Sequence, residues 1–202
     1  MEAVVNAIVS SAKKSLLFPL AWRHKVAGIL EGYLTKESLW DRLVFDDARS
    51  SVLGEAASST RAVIVSDGTV PAKVLTPARV ALSVPLVIAH THPLVSAPIL
   101  ASHPHDMQTF AIISDKELAH VGPPTVNIEV KLVGVDDATV EGGGDPAGVL
   151  HMRGPIVGRE LTLSDSPEEE EAPKDDEPWV STRDQARVQT NGVFKACITG
   201  RK

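Results

Sequence analysis

Residues 178–202 read PWVSTRDQARVQTNGVFKACITGRK, and their reading decides the fold. Trp179 is followed by Thr182 and Asp184 around a turn, a short strand, an Asn191-Gly192 hairpin turn, a second strand, and Gly200-Arg201. Asn-Gly between two strand-like runs is a strong hairpin signal, because the central residues of the tight turn need positive φ. This part of the sequence is therefore antiparallel β, and Cys197 within the second strand reads as a small apolar filler.

Outward from the hairpin, residues 164–178 carry Asp165, Glu168 to Glu171, Asp175, Asp176 and Glu177 against Lys174. Such an acidic block is expected to be a solvated or disordered loop. Val126, Ile128, Val130 and Leu132 alternate with Asn127, Glu129 and Lys131, the pattern of a half-exposed strand. Glu141-Gly-Gly-Gly-Asp-Pro reads as a turn, and His151-Met-Arg-Gly-Pro closes another strand, with Arg153 a structural residue at its end. Residues 93–120 form a Pro/His/Ser-rich connection with one short candidate element at 107–113.

The first half has a different grammar. Ala62 to Val65 and Val84 to Ala89 are continuous apolar runs, suited to strands buried on both faces. Between them Thr76-Pro77 reads as an N-cap and a first helical residue, opening a helix to about Leu82. Strand, helix and strand in this order imply a right-handed parallel unit. Residues 1–33 read as helices broken near Pro19. A further helix begins at Ser38, whose hydroxyl and Asp41 have capping-box spacing, and carries Leu39, Leu43 and Val44 to one side. The layout is mixed α+β, with an α/β part over 1–119 and a β part over 120–202.

Composition excludes several function classes. Apolar content is 43% and charged content 23%, ordinary for a folded globular chain. Aromatics make up 4% and the formal charge is −6, which argues against a nucleic-acid partner and, by the charge, against an anionic membrane surface. One cysteine cannot form an internal disulfide, so a reducing compartment is expected. No apolar run is long enough to span a membrane. Lys13-Lys14-SLLFPLAW is read as an amphipathic segment packed on the body rather than a signal peptide or a membrane-surface contact.

Taken in order, the motifs resemble the adenylate-forming enzymes, the acyl-CoA synthetase and ligase superfamily. The 178–202 stretch is similar to that family's W-x-x-T-G-D turn, N-G hairpin and closing G-R. His120-VGPPTVNIEVKLVGV resembles the strand that opens its small β-barrel, and Gly148 to Gly158, GVLHMRGPIVG, resembles its R-G-P segment. Ser38-LWDRLVF and Arg61-AVIVSDGTVPAKVL resemble the long-chain fatty acyl branch. The resemblance implies the C-terminal part of the large domain: a remnant of a parallel α/β subdomain plus a small distorted β-barrel. It implies AMP-forming ligation of a long-chain fatty acid to coenzyme A with ATP and Mg²⁺, in the cytoplasm or peripherally at the ER or another organelle. It also implies that Asp184 accepts the ribose hydroxyls of AMP, that Arg201 donates to the same sugar, and that Thr182 belongs to that turn. Gly68 would line the acyl and adenine pockets.

Several departures limit that activity. Arg183 stands where the family has Gly, so the turn is expected to be altered. No Ser/Thr/Gly-rich loop with a Lys to grip triphosphate occurs in these residues. The aromatic, Thr and Glu of the next family motif fall at residues 90–95, which read HTHPLV. The leading expectation is a truncated, degenerate ligase, inactive alone, with no catalytic residue and with nucleotide or acyl substrate as possible ligands. The second is a non-catalytic binding or scaffold module derived from a ligase. The third is a small metal-dependent hydrolase using His90, His92, His103 and His105 with Asp106; the expectation sets against it the Pro residues of that loop, and assigns no metal ligand. The sheet of the first half, covered by a short helical set, is expected to self-associate or to need a covering partner chain.

Overall fold

A computed structural model describes residues 1–66, 70–109, 117–158 and 179–197. Gly68, Arg201 and the acidic run 164–178 lie outside the described residues, as do most of the candidate element at 107–113 and the side chain of Cys197. The chain divides into two compact units, Met1–Val65 with Val70–Val87 and His103–Ala119, and Ser66–Thr69 with Ile88–Ser102 and His120–Lys202.

In the first unit, α1 (Glu2–Ala12) buries Val5, Ile8 and Ala12, and α2 (Phe18–Leu30) buries Ala21, Lys25 and Ile29. Both sets follow the helical period, one stripe per helix. Pro19 sits in the first turn of α2, so the break between the helices falls at 13–17 rather than at the proline. A π turn (Asp41–Phe45) leads into α3 (Asp46–Leu53), which is followed by α4 (Ala56–Ser59). Leu39 and Leu43 are exposed while Val44 and Phe45 are buried, contrary to the expected single apolar side. The π turn rotates the helix phase and turns Asp41 inward instead.

The helix expected to open at Pro77 begins earlier. α5 runs Ala72–Leu82 with Pro77 inside it. Losing one hydrogen bond to proline is outweighed by burial of Ala72, Val74, Leu75, Ala78, Val80, Ala81 and Leu82. Arg79 is buried on the same helix, its Nη1 donating to Met107 O at 2.6 Å and its Nη2 to Asp106 O at 2.9 Å. Burial lowers its pKa below the usual arginine value. β1 (Val63–Ser66) donates its Val63 N–H to Pro85 O at 2.9 Å. It is an edge strand with Ile64 exposed, not a strand buried on both faces; β2 (Leu86–His90) is buried as expected.

One carboxylate joins the helices of this unit. Asp41 is fully buried and accepts from Lys25 Nζ at 2.8 and 3.0 Å and from Arg49 Nη2 at 2.7 Å. Ser38 donates both its hydroxyl and its N–H to Asp41 Oδ2, while its Oγ accepts the Asp41 N–H at 3.2 Å, the expected reciprocal capping box. Lys25 also reaches Thr35 O at 2.6 Å; Arg49 reaches Ala81 O at 2.6 Å and Ser83 Oγ at 2.7 Å. Burial alone would raise the Asp41 pKa, but the bonds from Lys25, Ser38 and Arg49 outweigh it and hold the carboxyl below its usual value. Burial lowers the Lys25 pKa, with Asp41 offsetting part of the effect.

In the second unit the end of β2 pairs antiparallel with β3 (Leu100–Ala101) through Ala89 to Ala101 and His90 to Leu100. A four-stranded antiparallel sheet runs β4 (Glu129–Val133), β5 (Ala147–Arg153), β6 (Val180–Val188) and β7 (Phe194–Cys197) in that order. β4 starts after Val126, which is exposed, because Asn127 takes φ 64° and breaks the expected alternation. A short helix, α6 (Asp137–Glu141), precedes the glycine turn. Between β6 and β7 the turn closes on Gly192 at φ 79°, the expected Asn191-Gly192 hairpin. On the outer face Arg153 pairs with Glu129 at 2.7 Å and lies over the Trp179 ring.

Two stability predictions follow from these contacts. Asp41→Ala leaves Lys25 and Arg49 buried without their counter-charge and is expected to cost about 3–5 kcal/mol in urea unfolding. The folded-state pKa of Asp41 lies below the unfolded one. Its contribution is therefore complete above the unfolded carboxylate value of ~3.9 and is lost as pH falls through the folded value. The gap between wild type and Asp41→Ala should close in that acid window; a gap independent of pH there would contradict the assignment. In the second unit, Gly122 has φ 93°, and a Cβ there would lie 2.0 Å from Ala101 O. Gly122→Ala should lose about 2–4 kcal/mol by the same measurement.

Candidate functional site

The site is built where β6 departs from regular pairing. Val149 and His151 of β5 face Gln185 and Ser181, so Thr182, Arg183 and Asp184 together oppose Leu150. This is a bulge, which re-aims side chains that a regular ladder would alternate. Arg183 takes φ 61° and points to solvent, between two buried neighbours. The left-handed turn expected to suffer from the missing glycine is thus formed by an arginine, at a conformational cost of about 1 kcal/mol.

Thr182 holds the bulge closed. Its Oγ1 donates to Leu150 O at 2.8 Å and accepts the Asp184 N–H at 3.1 Å. With the backbone so fixed, Asp184 points inward and is fully buried. There its Oδ2 lies 3.1 Å from Nε2 of His90, which is also fully buried at the end of β2. His90 is positioned by strand pairing, its carbonyl accepting the Ile99 N–H at 2.8 Å. A carboxylate taken out of water needs counter-charges or donors beside it, and the His90 imidazole, which carries charge only when protonated, is one neighbour within ion-pair distance.

The following turn is closed by local bonds. His92 Nδ1 accepts the Leu94 N–H at 3.2 Å, His92 O accepts the Val95 N–H at 3.0 Å, and Val95 bridges to Val157. His90 and His92, read as a possible metal pair, therefore serve different partners. His103 and His105 stack with ring centroids 5.6 Å apart, and both are exposed. Among the described residues no three His, Cys, Asp or Glu side chains gather as metal ligands.

The structure thus brings together Thr182 and Asp184 of the expected nucleotide-holding set and adds His90, which had been read apart from them. The sequence carries no direct signal for that pairing, because His90 reads there only as one of the histidines in a stretch where the family motif is replaced. The donor set nevertheless does not fit AMP as folded. The Asp184 carboxylate has no exposed face for a sugar hydroxyl, and residues 91–95 offer neither an aromatic platform nor a metal-binding carboxylate.

Thr182→Val should remove both bonds that close the bulge, leaving the Leu150 carbonyl and the Asp184 N–H buried without them. A loss of about 1–3 kcal/mol is expected in thermal or urea unfolding, with Thr182→Ser restoring most of it. Equal losses from Val and Ser would show that packing, not the hydroxyl, holds the turn.

No family model matches the chain. Human long-chain-fatty-acid–CoA ligase 1 is 29% identical over 185 residues, covering 90% of this chain and 24% of that protein. The chain thus spans about a quarter of the length of this curated relative. Among solved structures, an anthranilate CoA ligase, AuaEII, in complex with anthranoyl-AMP, gives a TM-score of 0.47 at 19% identity, covering 69% of this chain and 24% of that one. O-succinylbenzoate CoA synthetase of Bacillus subtilis, in complex with ATP and magnesium ion, gives 0.46 at 16% identity, covering 88% and 36%. Over the part of its length that it spans, this chain is similar in sequence to a long-chain-fatty-acid–CoA ligase.

Proposed function

We propose that this chain is a non-catalytic relative of the long-chain fatty acyl branch, whose former ribose position has become an internal structural contact. One observation carries the reading: Asp184 and His90 are both fully buried and 3.1 Å apart. A carboxylate that grips a sugar must present its oxygens to the ligand, and this one faces an imidazole inside the protein. The replacement of the phosphate- and metal-holding motif by HTHPLV supports the same reading, because acyl-adenylate formation depends on electrostatic stabilisation of the transferring group. Among the described residues ATP, Mg²⁺ and coenzyme A therefore have no assigned ligands. Gly68 and Arg201 remain part of the proposed ancestral nucleotide surface.

The scaffold reading belongs to the same proposal, and the exposed edge strand β1 favours it. With Ile64 69% exposed, that edge, which pairs with no further strand among the described residues, offers an apolar side chain and backbone to a second strand, which is a route to self-association.

The test is ATP–pyrophosphate exchange with medium- and long-chain fatty acids, together with calorimetric titration of AMP. No exchange above a protein-free blank and no saturable AMP heat are expected. Exchange dependent on a fatty acid, abolished in Asp184→Ala while the fold persists by circular dichroism, would overturn the proposal.

A further inference from the structure

The outer face of α2 and the turn before it combine apolar exposure with positive charge. Lys13, Lys14, Leu16 and Leu17 in the turn are all exposed, and Leu16 stands 98% open to solvent. One turn into α2, Leu20 is 59% exposed, and Leu30 is exposed at the far end. At 3.6 residues per turn, Leu20, Arg23, His24, Ala27 and Leu30 fall within an arc of roughly 120°. All five are exposed. The inward stripes of both helices are already used by Val5, Ile8, Ala12, Ala21 and Ile29.

Charge says what such a face fits. From Ala3 to Leu30 there is no Asp or Glu, whereas Lys13, Lys14 and Arg23 are exposed, in a chain of net charge −6. Glu31 ends the acid-free stretch at the opposite end of α2, roughly 20 Å from the turn.

We propose that this turn and the outer face of α2 dock on an anionic lipid surface. A leucine exposed over nearly its whole surface projects from the fold and can enter an acyl layer without requiring a pocket on its partner. Lysines are depleted from the cores of protein–protein interfaces, yet they suit the headgroup region, where the ammonium reaches phosphate while the stem stays with the apolar side chains. α2 is about 20 Å long against a hydrocarbon core of about 30 Å. Among the described residues no helix is long and apolar enough to cross a membrane. The helix therefore lies in the interface, its inner stripe still packed on the protein.

The experiment is co-sedimentation of the whole chain with vesicles of phosphatidylcholine, with and without phosphatidylserine. Binding to the anionic vesicles, weakening as salt rises, and little binding to phosphatidylcholine alone are expected. Each near-surface cation contributes a factor of about five, so Lys13→Ala with Lys14→Ala should weaken partitioning roughly thirtyfold. Leu16→Ser with Leu20→Ser should weaken it at least ~tenfold. Both pairs should leave the unfolding midpoint unchanged. Arg61→Ala with Arg187→Ala, which removes two exposed charges elsewhere, should have little effect. The proposal fails if no vesicle is bound, if the leucine pair changes nothing, or if the Arg61/Arg187 pair weakens binding as much as the lysine pair. It also fails if light scattering shows a dimer that the leucine pair dissolves while vesicle binding is absent, since a second copy then covers this face.

Discussion

The first unit depends on a single buried carboxylate. Asp41 sits with its oxygens shared among Lys25 of α2, Arg49 of α3 and Ser38 before the π turn, and Arg49 continues to the end of α5 at Ala81 and Ser83. Burying an ion costs several kcal/mol, and that cost is met only where every partner is in place. Helix packing by apolar side chains tolerates sliding; a carboxylate with directional donors does not. Asp41 therefore selects one arrangement of these helices among several of similar apolar burial. The π turn from Asp41 to Phe45 is the local distortion that aims it inward.

That arrangement has a consequence at the surface. Because Lys25 is committed to Asp41, α2 cannot rotate to bury Leu20 without withdrawing an ammonium from its carboxylate. The inner stripe is defined by Ala21, Lys25 and Ile29, and the outer one is left with leucines and Arg23. The apolar, basic exterior of α2 is thus set by a polar contact on its other side.

The second unit uses the same physics with a different outcome. Asp184 is directed inward by the bulge that Thr182 closes, and His90 meets it from β2. In a relative of the acyl-CoA ligases these positions would be expected to surround a nucleotide. Here the carboxylate meets a side chain of its own protein, His90. Arg183 holds a left-handed backbone without glycine, since the Thr182 hydroxyl bonds over-determine the turn on either side.

The sequence by itself determined the elements whose signals are local. The Asn191-Gly192 hairpin, the Ser38–Asp41 capping box, the buried strand β2 and the mixed α+β class follow from turn chemistry, capping geometry and apolar runs. So did the resemblance to the ligases, which rests on motifs in order. Tertiary structure decided the rest. α5 passes through Pro77 because burial along its whole length outweighs one lost hydrogen bond, and a Thr-Pro signal cannot register contacts made elsewhere. β1 is an edge strand because nothing pairs beyond it among the described strands, a fact of topology invisible in the run Val63–Ser66. The partners of Asp41 and Asp184 lie far away along the chain. Electrostatic pairing acts through space at a few ångströms, whatever the separation in sequence, so only the fold could bring Lys25 to Asp41 and His90 to Asp184.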